Sequence, residues 1–262
     1  MTATQTTGTQ GTVRQGLGAT SRRDRWWLQP GIVAAAFGTF ILYSLFSALL
    51  WEPLFGAPYE VDGYLSPFFS PLIQLDFVPD WFSPAILILW VPLGFRTTCY
   101  YYRKAYYRAY FADPPACAVG EPKIHRRYAM ERAFPFILQN VHRYFLYLAF
   151  IPLFFLWFDA FYSFVHPGLR IGLGSFILLA NVALLTGYSL SCHSLRHLVG
   201  GRLDCFSCSA GARMRYGGWR RLTGLNEKHM QWAWVSLVSV ALADLYVRML
   251  AIGVLVDPAI RL

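Results

Sequence analysis

The sequence predicts an all-α, polytopic membrane protein with five transmembrane helices and its N-terminus at the cytoplasmic face. Three observations carry this reading. First, of 262 residues, 56% are hydrophobic and only 14% charged, whereas a soluble domain carries about 25% charged residues. Second, the chain divides into long spans, roughly 30–51, 84–111, 134–162, 171–198 and 229–254, the second with a clean apolar run only to Phe95, and each span reaches the ~20 residues needed to cross a bilayer. Third, the Lys and Arg behind the net charge of +9 gather in alternate connections, the pattern of a membrane orientation signal. A chain this apolar argues against nucleic-acid binding, the usual alternative for a basic protein. Five cysteines, most in one cluster, fit metal ligation better than an extracellular disulfide framework.

In chain order, residues 1–25 form a Thr/Gly/Gln-rich arm that ends in Arg22, Arg23 and Arg25, and 26–262 form the transmembrane domain. Trp26 and Trp27 have the amphipathic rings of an interfacial belt. The first span lacks a small-residue cleavage site and is too long for a signal-peptide core, so it is expected to be retained. Residues 52–83 contain Glu52, Glu60, Asp62, Asp76 and Asp80 but no Lys or Arg, and read as an outward loop with short interfacial pieces. The second span passes Arg96 and Cys99 into an aromatic and cationic run at 100–111, read as one continuous helix. A basic loop, 112–133, follows. The third span carries Asn140, His142 and Arg143 in its first third. The fourth carries Cys192, His193 and His197 in its last two turns. The connection 199–228 reads as a basic loop, and the fifth span opens at His229. Asp244 and Arg248, spaced i,i+4 on that span, are expected to form a structural ion pair.

The candidate chemistry concentrates in residues 192–208. His193 and His197 project from one helix face, and after a Gly-Gly turn come Cys205 and Cys208 in Cys-x-x-Cys spacing. Two imidazoles and two thiolates suit either a structural zinc ion or a Rieske-type [2Fe–2S] cluster, with two Cys on one iron and two His on the other. Cys192 and His229 are substitute ligands. Single haem b ligation between His142 and His193 or His197 is a further alternative; a diheme arrangement fails on counting, because the first two spans have no His. Cys99, Cys117, His125 and His166 read as incidental.

Ionisable residues within a membrane default to function. His142 and Arg143, with Tyr147 and Trp232, are therefore the quinone-binding candidates; Asn140, Tyr144 and Gln231 are plausible neighbours, and Arg143 has snorkelling as its plain alternative. No residue is singled out as catalytic.

The strings CHSLRHLVGG (192–201), DCFSC (204–208), RYGGWRRLTGLNEKHMQWAW (215–234) and DLYVRM (244–249) resemble the membrane-anchor, cytochrome-b-like subunit of actinobacterial succinate dehydrogenase. The resemblance is to the haem-less type with a membrane-embedded Rieske-type cluster. It implies a subunit of a succinate:menaquinone oxidoreductase in the cell membrane, inactive alone. Its implied partners are a flavoprotein subunit and an iron–sulfur subunit at the cytoplasmic face, and its implied ligands are the cluster and menaquinone. The spacing here departs from the Cys-x-His and Cys-x-x-His of soluble Rieske domains.

Overall fold

The computed structural model describes residues 24–75, 77, 79, 82–111, 134 and 136–261. The basic loop 112–133, with Cys117 and His125, and all of the N-terminal arm except Asp24 and Arg25 lie outside them.

The chain is mostly helical. Four helical stretches are long and apolar enough to cross a membrane: Leu28–Phe55, Ile137–Tyr162, Leu173–Leu190 and His229–Ala251. A shorter apolar helix, Ile86–Thr97, accompanies them. The first stretch comprises α1 (Leu28–Leu45), a π-helical turn (Phe46–Leu50) and α2 (Trp51–Phe55). The others centre on α5 (His142–Tyr162), α6 (Leu173–Leu190) and α9 (His229–Ala251). Leu42, Ile151, Phe154, Phe158 and Leu242 are all exposed on their outer surfaces, a placement that lipid rather than water satisfies.

Helix α6 packs against both α5 and α9; α3 (Ile86–Thr97) lies on α5, and α1 lies on α4 (Tyr100–Phe111) and α9. Across the α6–α9 seam Ser239 Oγ donates to Asn181 Oδ1 at 3.0 Å, and both helices bury small residues, Ser175 on α6 and Ala233, Ser236 and Ala243 on α9. Such residues let helix backbones approach closely where lipid gives no hydrophobic drive to associate. Gly187 marks the tightest point, because a Cβ there would stand 2.6 Å from Trp232 Cε3.

Three expectations need correction. The run 84–111 is not one helix, since α3 ends at Thr97 and α4 starts at Tyr100. Thr97 and Thr98 donate their hydroxyls to the carbonyls of Leu93 (2.8 Å) and Gly94 (2.7 Å), and such back-bonding competes with the helical ladder. The run 171–198 also breaks. Helix α6 stops at Leu190, Cys192 has an extended backbone (ψ 133°), and the short α7 (His193–Gly200) begins after it. The connection 199–228 is not a simple loop: it contains the 18-residue α8 (Ala210–Glu227), N-capped by Ser209 Oγ accepting from Ala212 N at 3.0 Å. Its basic face had masked its helical potential. Arg213, Arg215, Arg220 and Arg221 are exposed, while Trp219 lies beneath the Arg196 guanidinium at 4.6 Å.

The end of the bundle formed by residues 52–75 is capped by short pieces. Strands β1 (Glu60–Val61) and β2 (Tyr64–Leu65) pair antiparallel across Asp62-Gly63, both at positive φ, as a two-residue hairpin turn requires. Strand β3 (Arg170–Gly172) pairs antiparallel with β4 (Ala259–Arg261). Asp257 accepts from Tyr64 Oη and Tyr246 Oη, both at 2.6 Å, and from Gly174 N at 2.9 Å.

Beneath this cap lies the expected ion pair. Arg248 Nε stands 3.6 Å from Asp244 Oδ1, and both side chains are fully buried. Asp244 also accepts from Tyr43 Oη (2.6 Å), Ser47 Oγ (2.6 Å) and Ser66 Oγ. The π turn of the first span places Ser47 there, where its carbonyl accepts from Arg248 Nη2 at 2.9 Å. The network joins the first span, the hairpin segment and α9.

Candidate functional site

At the opposite end of the bundle, four helix ends converge. Cys99 lies in the break between α3 and α4, His142 opens α5, Cys192 lies in the break after α6, and His229 opens α9. His142 Nε2 lies 3.2 Å from Cys192 Sγ, and His229 Nε2 lies 3.4 Å from Cys99 Sγ. Cys99 (2% exposed), Cys192 (1%) and His229 (2%) are buried, and His142 is partly so. Both cysteines belong to one buried cluster with Phe95, Tyr102 and Tyr188.

The two imidazoles are held alike. Thr98 Oγ1 lies 2.9 Å from His142 Nδ1, and Ser191 Oγ lies 2.7 Å from His229 Nδ1. Each hydroxyl belongs to the residue next to a cysteine, so the same helix break that frees a thiol also supplies the partner that orients an imidazole. With Nδ1 engaged, each Nε2 is left facing a sulfur. Aromatic rings fix the planes: Phe95 stacks on His142 (centroids 4.8 Å, 5° apart) and Tyr188 on His229 (5.1 Å, 20°).

The residues singled out from the sequence distribute differently. His193 and His197 contact each other on α7 (ring centroids 4.4 Å apart) but are exposed. The sulfurs of Cys205 and Cys208 are joined in a disulfide. These four are therefore not assembled as one ligand set, and among the described residues no three His, Cys, Asp or Glu side chains are placed to hold a single metal ion. Cys192 and His229, the substitute ligands, and His142, a quinone candidate, instead meet Cys99, which had read as incidental. The signal was present in the sequence: all four residues lie at same-side ends of successive apolar runs.

Of the remaining quinone candidates, Arg143 and Tyr147 are exposed on α5, as is Tyr144, and Asn140 is exposed in the 3-10 turn that precedes it. Trp232 is partly buried against α6 and its indole Nε1, itself buried, has no hydrogen-bond partner among the described residues. Gln231 is exposed. His166 stacks on Tyr162 at the far end of α5 (4.8 Å).

The donor chemistry suits a two-iron group better than a single ion. Two thiols and two imidazoles occur as two Cys–His pairs, both thiols are buried, and a hydroxyl holds the outer nitrogen of each ring, the kind of support that metal-binding histidines use.

Apolar spans, closely packed helices and thiol–imidazole pairs gathered at one end describe a helical membrane protein with a Cys/His cluster at one end of its bundle. The comparisons with known proteins agree with that class. The model of the actinobacterial succinate dehydrogenase subunit SdhC family matches residues 28–253, and the chain belongs to that family. It is also similar to a solved chain described as the Mycobacterium smegmatis Sdh1 complex in the apo form. The identity is 38% over 98% of this chain and 100% of that chain, with a TM-score of 0.82. No curated protein matches.

Proposed function

We propose that this chain is the membrane anchor of a succinate:menaquinone oxidoreductase in the plasma membrane. In this role it takes electrons from an iron–sulfur subunit, itself served by a flavoprotein subunit, and delivers them to quinone. The observation that carries the proposal is the convergence of Cys99, His142, Cys192 and His229 in a member of the SdhC family. The likeness to the Sdh1 complex supports partner subunits.

The proposed topology keeps five apolar segments, with α3 and α4 together as the second and the N-terminus cytoplasmic. The arm 1–25 precedes a single transmembrane domain, 26–262. In support, the connection 199–228 is rich in arginine and the hairpin segment 52–75 has no Lys or Arg. The Cys/His end then faces the cytoplasm, where an iron–sulfur partner docks and where the exposed arginines of α8 offer it a cationic surface.

Cys99 and Cys192 would hold one iron, and His142 and His229 the other, of a Rieske-type [2Fe–2S] group. Such a group supplies a one-electron carrier whose neutral imidazole ligands raise its potential above that of an all-thiolate cluster. The remaining chemistry belongs to the protein. Thr98 and Ser191 keep each Nε2 pointed inward, Phe95 and Tyr188 hold the ring planes, and the buried cluster around them keeps water out. Trp232 Nε1, buried without a partner among the described residues, supplies a donor for a quinone carbonyl beside this centre; an unmet N–H is costly and a carbonyl acceptor removes the cost.

The test replaces the two cysteine pairs separately in the purified complex. Cys99→Ser and Cys192→Ser should abolish one reducible EPR signal of low average g, with about two iron atoms per complex lost. Cys205→Ser and Cys208→Ser should leave that signal in place. The reverse pattern would transfer the ligand role to the exposed Cys-x-x-Cys. Loss in neither would remove the redox centre from this chain.

A further inference from the structure

Arg96 is a partly buried charged group at this end of the core, where Arg103 on α4 is also buried. It lies two residues before Thr98 and three before Cys99, and its guanidinium lies 4.8 Å from the centroid of Tyr188, the ring that stacks on His229. It donates to Tyr102 Oη, to Ser236 Oγ at 3.1 Å and to the Ala233 carbonyl at 3.3 Å. Tyr102 in turn donates to the Ala233 carbonyl. Every partner found for Arg96 among the described residues is neutral. Arg248, at the other end of the bundle, differs in having Asp244 as counter-ion. A guanidinium does not deprotonate in a protein, so Arg96 places an uncompensated positive charge among the residues that surround the Cys/His centre.

We infer that Arg96 is an electrostatic tuning residue whose uncompensated charge stabilises the electron-bearing state of the Cys99/His142/Cys192/His229 centre. The inference rests on the function proposed above. An electron arriving from the iron–sulfur partner adds one negative charge to the centre, and the fixed cation attracts it through a medium of low dielectric. The bonds to Ser236, Tyr102 and the Ala233 carbonyl hold the charge in place in both redox states, so no reorganisation is needed as the electron arrives. Arg96 does not touch the ligands; it acts through position, by way of Tyr188.

The experiment is a redox titration of the EPR signal in the whole complex, comparing wild type with three variants. Arg96→Gln removes the charge and keeps hydrogen-bonding capacity. Ser236→Asp leaves Arg96 in place and adds a carboxylate beside it. Arg96→Lys keeps the charge. The first two should each lower the reduction equilibrium constant about tenfold, which for one electron is a fall of about 59 mV, and Arg96→Lys should stay near wild type. A purely structural role for Arg96 would not produce a common shift in Arg96→Gln and Ser236→Asp with rescue by lysine. Wild-type potentials in either charge-neutralising variant, with the signal present, would overturn the inference. Should Arg96→Gln fail to assemble, Ser236→Asp decides it alone. If the wild-type complex shows no signal that depends on Cys99, the proposed function has failed, an outcome distinct from an unshifted potential.

Discussion

Asp244 is expected to matter more to the stability of this chain than Arg248, although they form one ion pair. In Asp244→Leu the paired carboxylate is lost, so Arg248 is left with Ser47, the Phe69 and Trp51 faces and the electrostatic influence of Glu52, and Tyr43, Ser47 and Ser66 lose a shared acceptor. Removing one partner of a buried pair costs about 3–5 kcal/mol, and each stranded buried hydroxyl adds about 1–3 kcal/mol. A total above about 5 kcal/mol is expected. In Arg248→Met the carboxylate still accepts from three hydroxyls, so the cost should fall to about 3 kcal/mol. At about 2–4 °C per kcal/mol for a chain of this size, Asp244→Leu should lower the unfolding midpoint of the detergent-solubilised complex by more than ~10 °C and Arg248→Met by roughly half as much. The assay is thermal unfolding followed by dye labelling of newly exposed thiols. An Arg248→Met loss equal to or larger than that of Asp244→Leu would show that the hydroxyl cradle does not carry the carboxylate.

Other expectations follow from the same packing and site. Gly187→Leu should drive α6 and α9 apart at Trp232 and cost about 1–3 kcal/mol of overpacking, measured by the same thermal assay. Ser191→Ala should leave His229 in place but unoriented; a shift in the EPR line shape without loss of iron is the result to look for, and complete iron loss would mean that Ser191 does more than orient. In the complex stripped of iron, alkylation followed by mass spectrometry should find Cys99 and Cys192 protected until the protein unfolds, since both are buried, with Cys205 and Cys208 labelled only after a reductant opens their disulfide. Arg220→Glu with Arg221→Glu should weaken association of the anchor with the iron–sulfur partner, most visibly at low salt, because exposed charges steer docking and are screened; co-purification yield against salt concentration measures it.

Much of the fold was legible from hydropathy. The first and fifth spans fall close to their expected limits, because continuous apolar runs leave a helix as the solution inside lipid. The Asp244–Arg248 pair was legible from i,i+4 spacing. The helix breaks were not, since Thr98 and Cys192 end helices by local hydroxyl bonding and backbone geometry that no run of apolar residues reveals. Helix α8 was hidden because its arginines read as a solvated loop.

The candidate cluster read from the sequence differs from the one the packing brings together for a related reason. Proximity in sequence favoured residues 192–208, whereas the structure gathers residues from four separate helix ends. Cys99 and His142 are 43 positions apart in sequence, and only the packing of α3 on α5 brings their neighbourhoods together. Counting Cys and His by membrane depth instead of by sequence window would have found all four.

The most direct test of the central claim is pulsed EPR of the reduced complex with nitrogen-15-labelled histidine. Two strongly coupled histidine nitrogens should appear in the wild type and one should disappear in His229→Ala or His142→Ala, with His193→Ala and His197→Ala unchanged. Couplings that survive in both buried variants, and vanish on replacing His193 or His197, would contradict the account and move the centre to the exposed α7.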